Sequence, residues 1–288
     1  MSPSIAVQNT LKQKLSASTL VFQAIAGGSI NQTYQLTAGD IDFFCKINSA
    51  TKFPQLFLKE SHGLEAIRKT KAIKVPAVID CFQIADEQVL LIEWIRKGER
   101  SEQFWKNFGT SLAALHNISN KEYGYGENNY MGSIQQYNDW NSNWNTFFIE
   151  QRLKPLVAKC FIKSFLTTRH QTAFEKLYTQ LPRFFEDQKP ALLHGDLWSG
   201  NFMCNDRSEP VLIDPAIYYG HRSVDLAMTT LFGGFHSLFY EAYQSYYSFP
   251  ANYSKQWKIC NLYPLLIHLL LFDKSYLLQI EQTLNEFA

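Results

Sequence analysis

The order of secondary structure along the chain constrains its fold more than any other feature. The first hundred residues read as short apolar strands, among them 20–25, 33–36, 41–47 and 89–95, separated by glycine and polar turns. One helix is indicated within that part, at 55–70, and beyond residue 101 helical spacing prevails. Short strands interrupt it at 191–193 and 210–213. The pattern predicts an α+β fold with a β-rich N-terminal lobe, residues 1–96, and a mainly helical C-terminal lobe, residues 97–288.

Composition excludes several classes of protein. The 288 residues are 46% hydrophobic and 18% charged, which is typical of a globular protein with a substantial core. The net charge of +1 argues against a protein dominated by nucleic-acid binding. The five cysteines form an odd set without C-x-x-C spacing, which favours reduced thiols in a cytoplasmic protein over a zinc site or a disulfide framework.

No segment of the sequence indicates a membrane or a secretory signal. The first residues lack a basic stretch followed by an apolar core. The longest apolar run, 262–272, is interrupted by Pro264 and His268 and is shorter than the roughly 20 residues that a bilayer span needs. We expect this run to form a buried helix.

One polar segment carries the chemistry. Residues His194 to Asn201 read H-G-D-L-W-S-G-N and fit the pattern H-x-D-x-x-x-x-N, and Asp214 directly follows the apolar run 211–213. Protein kinases use this layout, with an Asp that accepts the proton of the attacking hydroxyl and an Asn and a second Asp that hold metal. The order and spacing of the set indicate phosphoryl transfer to a hydroxyl group.

The chemistry of that transfer assigns a role to each side chain. A transferred phosphoryl group spreads negative charge over its oxygens, so a magnesium ion held by hard oxygen ligands is expected beside it. Asn201 and Asp214 are the predicted Mg²⁺ ligands. Asp196 is the carboxylate left to orient the acceptor hydroxyl as catalytic base.

The N-terminal part supplies residues for ATP. Lys46 lies in a predicted strand with apolar neighbours on both sides, where kinases place the lysine that contacts the α- and β-phosphates. A carboxylate on the following helix should pair with it. Glu60 and Glu65 are the candidates, and Glu60 is preferred; the two are five residues apart and do not share a helix face.

Two further segments are candidates for nucleotide contacts. Gly28 and Ser29 lie in a glycine turn between the first two strands and could cover the phosphates through backbone N–H groups, although the turn lacks G-x-G-x-x-G and could be a plain hairpin. Glu93, Trp94 and Ile95 end the last strand before the helical part, where an adenine would bind the backbone of a hinge.

With these residues in place, the chain resembles the fructosamine kinase family, the ketosamine 3-kinases. The matching blocks, in chain order, are N-D-W at 138–140, Q-R at 151–152, L-L-H-G-D-L-W-S-G-N at 192–201, D-P-A at 214–216, Y-G-H-R at 219–222, D-L-A-M at 225–228, G-G-F at 233–235 and L-Y-P-L-L at 262–266. The resemblance covers residues 20–285 and implies a two-lobe protein-kinase-like fold, with Mg-ATP as the phosphoryl donor.

The resemblance also implies the acceptor. The acceptor would be the 3-hydroxyl of a ketosamine, the sugar adduct that glycation leaves on an amine, and the unstable product would release the free amine. Trp198 could stack on the sugar or pack within its loop, and His268 could approach the substrate or be a satisfied core histidine. Asp225 is expected to anchor the catalytic loop from a following helix. Asp273, where the family pattern suggests glycine, departs from the resemblance.

Two other functions remain open at this stage. Kinases of aminoglycosides, choline or homoserine share H-x-D-x-x-x-x-N and the following Asp, so the catalytic residues alone do not separate them from ketosamine kinases. A non-catalytic nucleotide-binding protein is the other alternative, but such proteins normally lose the base, the lysine or the metal ligands. The sequence does not specify the sugar, the amine, whether the ketosamine is protein-bound, or the oligomeric state.

Overall fold

The N-terminal part of the chain is an antiparallel sheet with a helix on each face. The computed structural model describes residues 2–25 and 30–288. Its first elements are α1 (Ile5–Lys14), β1 (Val21–Ala24), β2 (Gln32–Ala38), β3 (Ile41–Ser49), α2 (Leu56–Thr70), β4 (Val78–Ile84) and β5 (Glu87–Glu93). The strands form one sheet in the order β1-β2-β3-β5-β4, and every neighbouring pair is antiparallel.

The apolar run in β5 is buried on both faces of the sheet, by α1 on one side and α2 on the other. Val89 and Leu91 pack into the cluster that includes α1, whereas Leu90 packs into the cluster that includes α2. All three side chains are completely buried. A strand covered on both faces is apolar at successive positions rather than at alternate ones. The run therefore predicted a buried strand correctly, although β5 ends at Glu93 and leaves Trp94 and Ile95 beyond it.

The rest of the chain is mainly helical, as predicted. Its helices are α3 (Glu102–His116), α4 (Trp144–Phe147), a π-helical turn (Phe148–Leu153), α5 (Lys154–Ile162), α6 (Thr168–Gln180), α7 (Ser223–Leu231), α8 (Ser237–Tyr246), α9 (Tyr253–Cys260), α10 (Leu262–Leu271) and α11 (Leu277–Phe287), with 3₁₀ turns at Leu181–Arg183 and Lys274–Tyr276. Short strands are β6 (Asn129–Met131), β7 (Ile134–Gln136), β8 (Ala191–Leu193), β9 (Phe202–Cys204), β10 (Pro210–Leu212) and β11 (Tyr218–Gly220).

These short strands form three antiparallel pairs, β6–β7, β9–β10 and β8–β11. The sequence predicted β8 and β10 but not the other four. All six have three residues, too few for alternation to appear in the sequence, and β8 and β10 were predicted only because they are apolar runs beside polar loops. The pairs matter for function because the loops that follow β8 and β10 carry the predicted chemistry.

Helix α10 confirms the interpretation of the longest apolar run. Most of its side chains are buried in the core of the helical part. Pro264 lies in the first turn of the helix, where a backbone N–H has no partner within the helix and its loss costs little. Within the part of the chain that the structure describes, no helix is long and apolar enough to cross a membrane.

Helices α3 and α8 touch at a glycine. A Cβ atom at Gly109 of α3 would lie 2.1 Å from the carbonyl oxygen of Phe239 and 2.8 Å from the backbone nitrogen of Tyr243, both in α8. The backbones are therefore too close for any side chain at this position.

We expect Gly109→Ala to lower the free energy of unfolding by about 2–3 kcal/mol, because the added methyl group pushes α8 away from α3 and loosens the core. Urea unfolding followed by far-UV circular dichroism measures the change. Gly126→Ala is the control, since a Cβ there meets no atom within 4 Å. Equal stability of the two variants would contradict this account of the α3–α8 contact.

Candidate active site

The catalytic loop, residues 194–201, spans the gap between β8 and β9, and Asp214 follows β10 at the same place. Two backbone hydrogen bonds join these segments: Ile213 N–H donates to the Asn201 carbonyl at 3.0 Å, and Ala216 N–H donates to the His194 carbonyl at 2.8 Å. The side chain of His194 is buried, and its Nε2 lies 2.9 Å from the Ile213 carbonyl. The two segments that carry the predicted chemistry are thus fixed to each other.

Asp225 of α7 holds the start of the catalytic loop. Its Oδ2 accepts the backbone N–H of His194 at 2.7 Å, and its Oδ1 accepts the backbone N–H of Gly195 at 2.8 Å. His116 of α3 lies 3.2 Å from Oδ2 through its Nε2, and its Nδ1 lies 2.8 Å from the hydroxyl of Tyr243. The anchoring role expected of Asp225 is confirmed, whereas His116 was not singled out from the sequence.

Two residues of the site have left-handed backbone conformations. Gly195 has φ of +84°, and a Cβ there would lie 2.0 Å from the carbonyl oxygen of Ala216, so only glycine fits. Asp214 has φ of +55°, which is uncommon for a residue with a side chain. Such conformations persist where the surrounding structure fixes them. In this conformation the Asp214 carboxylate contacts Lys46.

Asp196 is held by the amide of Asn201. Asn201 Nδ2 donates to the Asp196 carbonyl at 2.8 Å and to its carboxylate Oδ2 at 2.9 Å. Burial raises the pKa of the Asp196 carboxyl to about 7, the charge of Asp214 adds to the rise, and the hydrogen bond from Asn201 opposes it. No described residue hydrogen-bonds to the Oδ1 atom of Asn201, which can therefore bind a ligand.

Lys46 is buried between two carboxylates. Its Nζ lies 2.7 Å from Glu60 Oε1 and 2.5 Å from Asp214 Oδ1. Burial alone would lower the pKa of Lys46, but the charges of Asp214 and Glu60 more than offset this and hold it above its usual value. Burial raises the pKa of Glu60 to about 7, Lys46 opposes that rise, and Asp214 adds to it. Of the two candidate glutamates, Glu60 forms the pair, while Glu65 binds Arg68 at 2.7 Å on the exposed side of α2.

The hinge residues lie at the end of β5. Glu93 and Ala77 exchange two hydrogen bonds, one from the Glu93 N–H to the Ala77 carbonyl at 2.9 Å and one from the Ala77 N–H to Glu93 Oε2 at 3.1 Å. The Trp94 ring stacks on the Phe44 ring, with 6.3 Å between their centroids. Phe44 lies two residues before Lys46 in β3, so the two side chains are on the same face of the strand. Glu93, Trp94 and Ile95 line a cavity of about 340 Å³.

Neither Lys46 nor Asp196 lines the cavity at the hinge. Gly28 and Ser29, predicted to cover the phosphates, lie outside the described residues, and their role stays a prediction.

Trp198 and His268 are brought into one aromatic cluster. The Trp198 ring covers the α-carbon of Gly200, where a Cβ would lie 2.3 Å from a ring atom, and it meets Phe232 edge-on at 6.0 Å. Phe232 lies 4.8 Å from the ring of His268. His268 is half-buried, and its Nδ1 lies 2.7 Å from the carbonyl of Pro264. Phe232 was not predicted, although it stands directly before the G-G-F block.

Comparison with known proteins identifies what this arrangement resembles. The family model described as fructosamine kinase matches residues 1–288. A cyanobacterial relative in Synechocystis sp., named "Probable ketoamine kinase", is 37% identical over 270 residues, 92% of this chain and 89% of the relative. The ketosamine-3-kinase of Mus musculus is 32% identical over 305 residues, 94% of this chain and 96% of the relative. These findings confirm the resemblance that the sequence indicated.

Solved structures agree with the fold. A candidate fructosamine-3-kinase from Haemophilus somnus 129PT has a TM-score of 0.89 and 26% identity, covering 98% of this chain and 96% of that chain. An aminoglycoside phosphotransferase in a ternary complex with AMP-PNP and hygromycin B has a TM-score of 0.68 at 14% identity, covering 98% of this chain and 99% of that chain. The predicted α+β, kinase-like fold is confirmed.

We expect Asp225→Asn to lower the free energy of unfolding by about 3 kcal/mol. An amide would direct its NH₂ group at a backbone N–H of His194 or Gly195 and leave that buried donor without an acceptor. Thermal and urea unfolding measure the loss, with Asp40→Asn in an exposed turn as the control. If the two variants were equally stable, Asp225 would not be the anchor of the loop.

Proposed function

Because the chain belongs to the fructosamine kinase family, we propose that it transfers the γ-phosphoryl group of ATP to the 3-hydroxyl of a ketosamine. The observation that carries this proposal is the convergence of three separate segments at one point. Asp196 stands on the catalytic loop, held by Asn201, and Asp214 beside it binds the buried Lys46 of the N-terminal sheet. A hydroxyl acceptor and the phosphates of a nucleotide need such a set of charges close together.

The residues that we assign to ATP belong to the N-terminal sheet and its helix and to the segment that directly follows β5. The ammonium of Lys46, which pairs with Glu60, would contact the α- and β-phosphates. Glu93, Trp94 and Ile95 would present their backbone to the adenine, and Phe44 beneath Trp94 supplies an apolar surface.

The donor atoms present fit a magnesium ion. Asn201 offers its free Oδ1 and Asp214 its carboxylate, and magnesium is normally bound by one or two protein oxygens together with substrate phosphates. Over residues 2–25 and 30–288, no group of three His, Cys, Asp or Glu side chains forms a metal site, so these two oxygens would be the protein's share. When bound, the ion would neutralise charge on the phosphates.

Asp196 is assigned as the catalytic base. Its carboxylate would accept the proton of the 3-hydroxyl while that oxygen forms a bond to the γ-phosphorus and the bond from phosphorus to the ADP oxygen breaks. The Asn201 amide fixes the carboxylate through Oδ2 at 2.9 Å, which leaves Oδ1 for the acceptor. The pKa of about 7 suits a group that must take up a proton near neutral pH.

Trp198 and His268 are assigned to the acceptor. Trp198 lies two residues beyond Asp196 and is 38% exposed, so a sugar held at Asp196 can contact its ring. A carbonyl oxygen only accepts hydrogen bonds, so His268 Nδ1 is the donor to Pro264 and Nε2 is left as an acceptor for a hydroxyl or an ammonium.

The phosphorylated ketosamine would then release its amine, which makes the reaction a step in the repair of glycated amines. All five cysteines are free thiols, which is compatible with the cytoplasm.

A panel of hydroxyl acceptors tests this proposal. We expect ATP-dependent turnover of fructosamines or ribulosamines in a coupled ADP assay, and none of choline, homoserine or aminoglycosides. Turnover of one of the latter compounds, with none of the ketosamines, would instead assign the chain to another class of small-molecule kinase. ATP binding without turnover on the whole panel would make it a nucleotide-binding protein.

We expect Asp196→Asn to reduce kcat by about two to four orders of magnitude, because the amide does not accept the hydroxyl proton. ATP binding, measured by calorimetry, should stay within a few-fold of the wild type. Asp187→Asn, in an exposed loop of the same helical part, is the matched control and should leave kcat unchanged. Full activity of the Asp196 variant would remove that residue from the role of base.

A further inference from the structure

An exposed row of aromatic rings continues from the catalytic loop to the surface. We call it the aromatic wall and define it as Trp198, Phe232, His268, Phe272 and Tyr276. Beyond the contacts of Phe232 with Trp198 and His268, the His268 ring lies 5.3 Å from Phe272 and 5.1 Å from Tyr276. The wall combines the catalytic loop, the end of α7, helix α10 and the 3₁₀ turn after it.

The exposure of the wall is unusual for rings of this size. Trp198 is 38% exposed, Phe232 37% and Phe272 55%, whereas most phenylalanines of the helical part lie in its core. Contiguous exposed apolar surface on a protein commonly marks a binding site. This surface begins at Trp198, two residues from the proposed base, and is therefore continuous with the proposed acceptor site.

We propose that the aromatic wall binds the protonated secondary amine of the ketosamine and the carbon chain attached to it. This inference rests on the proposed function. In a ketosamine the nitrogen is bonded to C1 and the reacting hydroxyl to C3, so a nitrogen next to the sugar comes close to the rings beside Asp196. Aromatic faces attract cations, and a substituted ammonium is a favourable partner because its carbon substituents also contact the rings.

The charges around the wall favour a cation. The carboxylate of Asp273, next to Phe272, is exposed and caps the 3₁₀ turn by accepting the Ser275 N–H at 2.7 Å. Lys274, the neighbouring cation, is directed elsewhere, with its Nζ 5.8 Å from the ring of Phe165. The wall therefore has a negative charge at its outer end, and no lysine ammonium among residues 2–25 and 30–288 lies over its rings.

His268 is compatible with a cationic ligand. Burial lowers its pKa below the usual value, so the ring is neutral at neutral pH and does not repel an ammonium. Its Nε2 has no hydrogen-bond partner among the described residues and can accept an N–H of the amine. Phe272 is the most exposed ring of the wall, so the chain attached to the nitrogen would leave past it into solvent.

Two acceptors that differ in one atom test the inference. The first is a 1-deoxy-1-alkylamino-fructose, and the second replaces its amine nitrogen by an uncharged ether oxygen. Binding of each to the enzyme with a non-hydrolysable ATP analogue is measured by calorimetry for the wild type, Phe272→Leu and the control Phe22→Leu in β1. Leucine keeps apolar bulk at position 272 but removes the ring.

We expect Phe272→Leu to weaken binding of the amine about two- to fivefold, which is the range of an exposed cation–π contact, and to leave binding of the ether unchanged. Phe22→Leu should change neither. Tyr276→Leu repeats the comparison, and thermal unfolding identifies any variant that has lost stability.

Equal effects of Phe272→Leu and Tyr276→Leu on the amine and the ether, or no effect on either, would overturn the inference while leaving the kinase assignment intact. Failure of the wild type to phosphorylate any ketosamine would instead overturn the proposed function, so the two failures are distinguishable.

Discussion

The arrangement of the site depends on the two ion pairs of the buried Lys46 ammonium. Its strand, β3, belongs to the N-terminal sheet, Glu60 to the helix packed against that sheet, and Asp214 to a loop of the helical part. A lysine that is 3% exposed is stable only when carboxylates compensate the loss of water. The ion pairs therefore require that these three segments meet, and they fix the position of the sheet relative to the catalytic loop.

The same contacts leave the site with an excess of negative charge. Glu60 and Asp214 both contact the Lys46 ammonium, and burial together with the charge of Asp214 raises the pKa values of Glu60 and Asp196, so ionising these two carboxylates beside Asp214 carries a cost. A cation that entered beside Asp214 and Asn201 would relieve that cost. The charges of the site thus fit the proposed binding of a nucleotide together with a metal ion.

The sequence indicated the candidate catalytic residues more readily than the residues that support them. Asp196, Asn201 and Asp214 lie close together along the chain, and their spacing is fixed by two short loops, so a pattern identifies them. Helical geometry showed that Glu60 and Glu65 do not share a face, because five positions turn a side chain to another side of the helix, but the structure decided that Glu60 is the partner of Lys46. His116 is part of the Asp225 anchor but lies 109 residues away from it in the chain, and no local pattern reports a contact of that kind.

The aromatic wall is assembled in the opposite way from the catalytic set. Trp198 comes from the catalytic loop and Phe232 from the end of α7, and Phe272 joins them only because the His268 ring of α10 contacts both phenylalanines. No short motif can specify such a surface. A change at Phe272 or Asp273 would alter the wall without disturbing the hydrogen bonds of the catalytic loop, since neither residue contacts Asp196 or Asn201. In the proposed function, phosphoryl transfer thus belongs to a loop fixed by hydrogen bonds, and contact with the amine belongs to a separate aromatic surface.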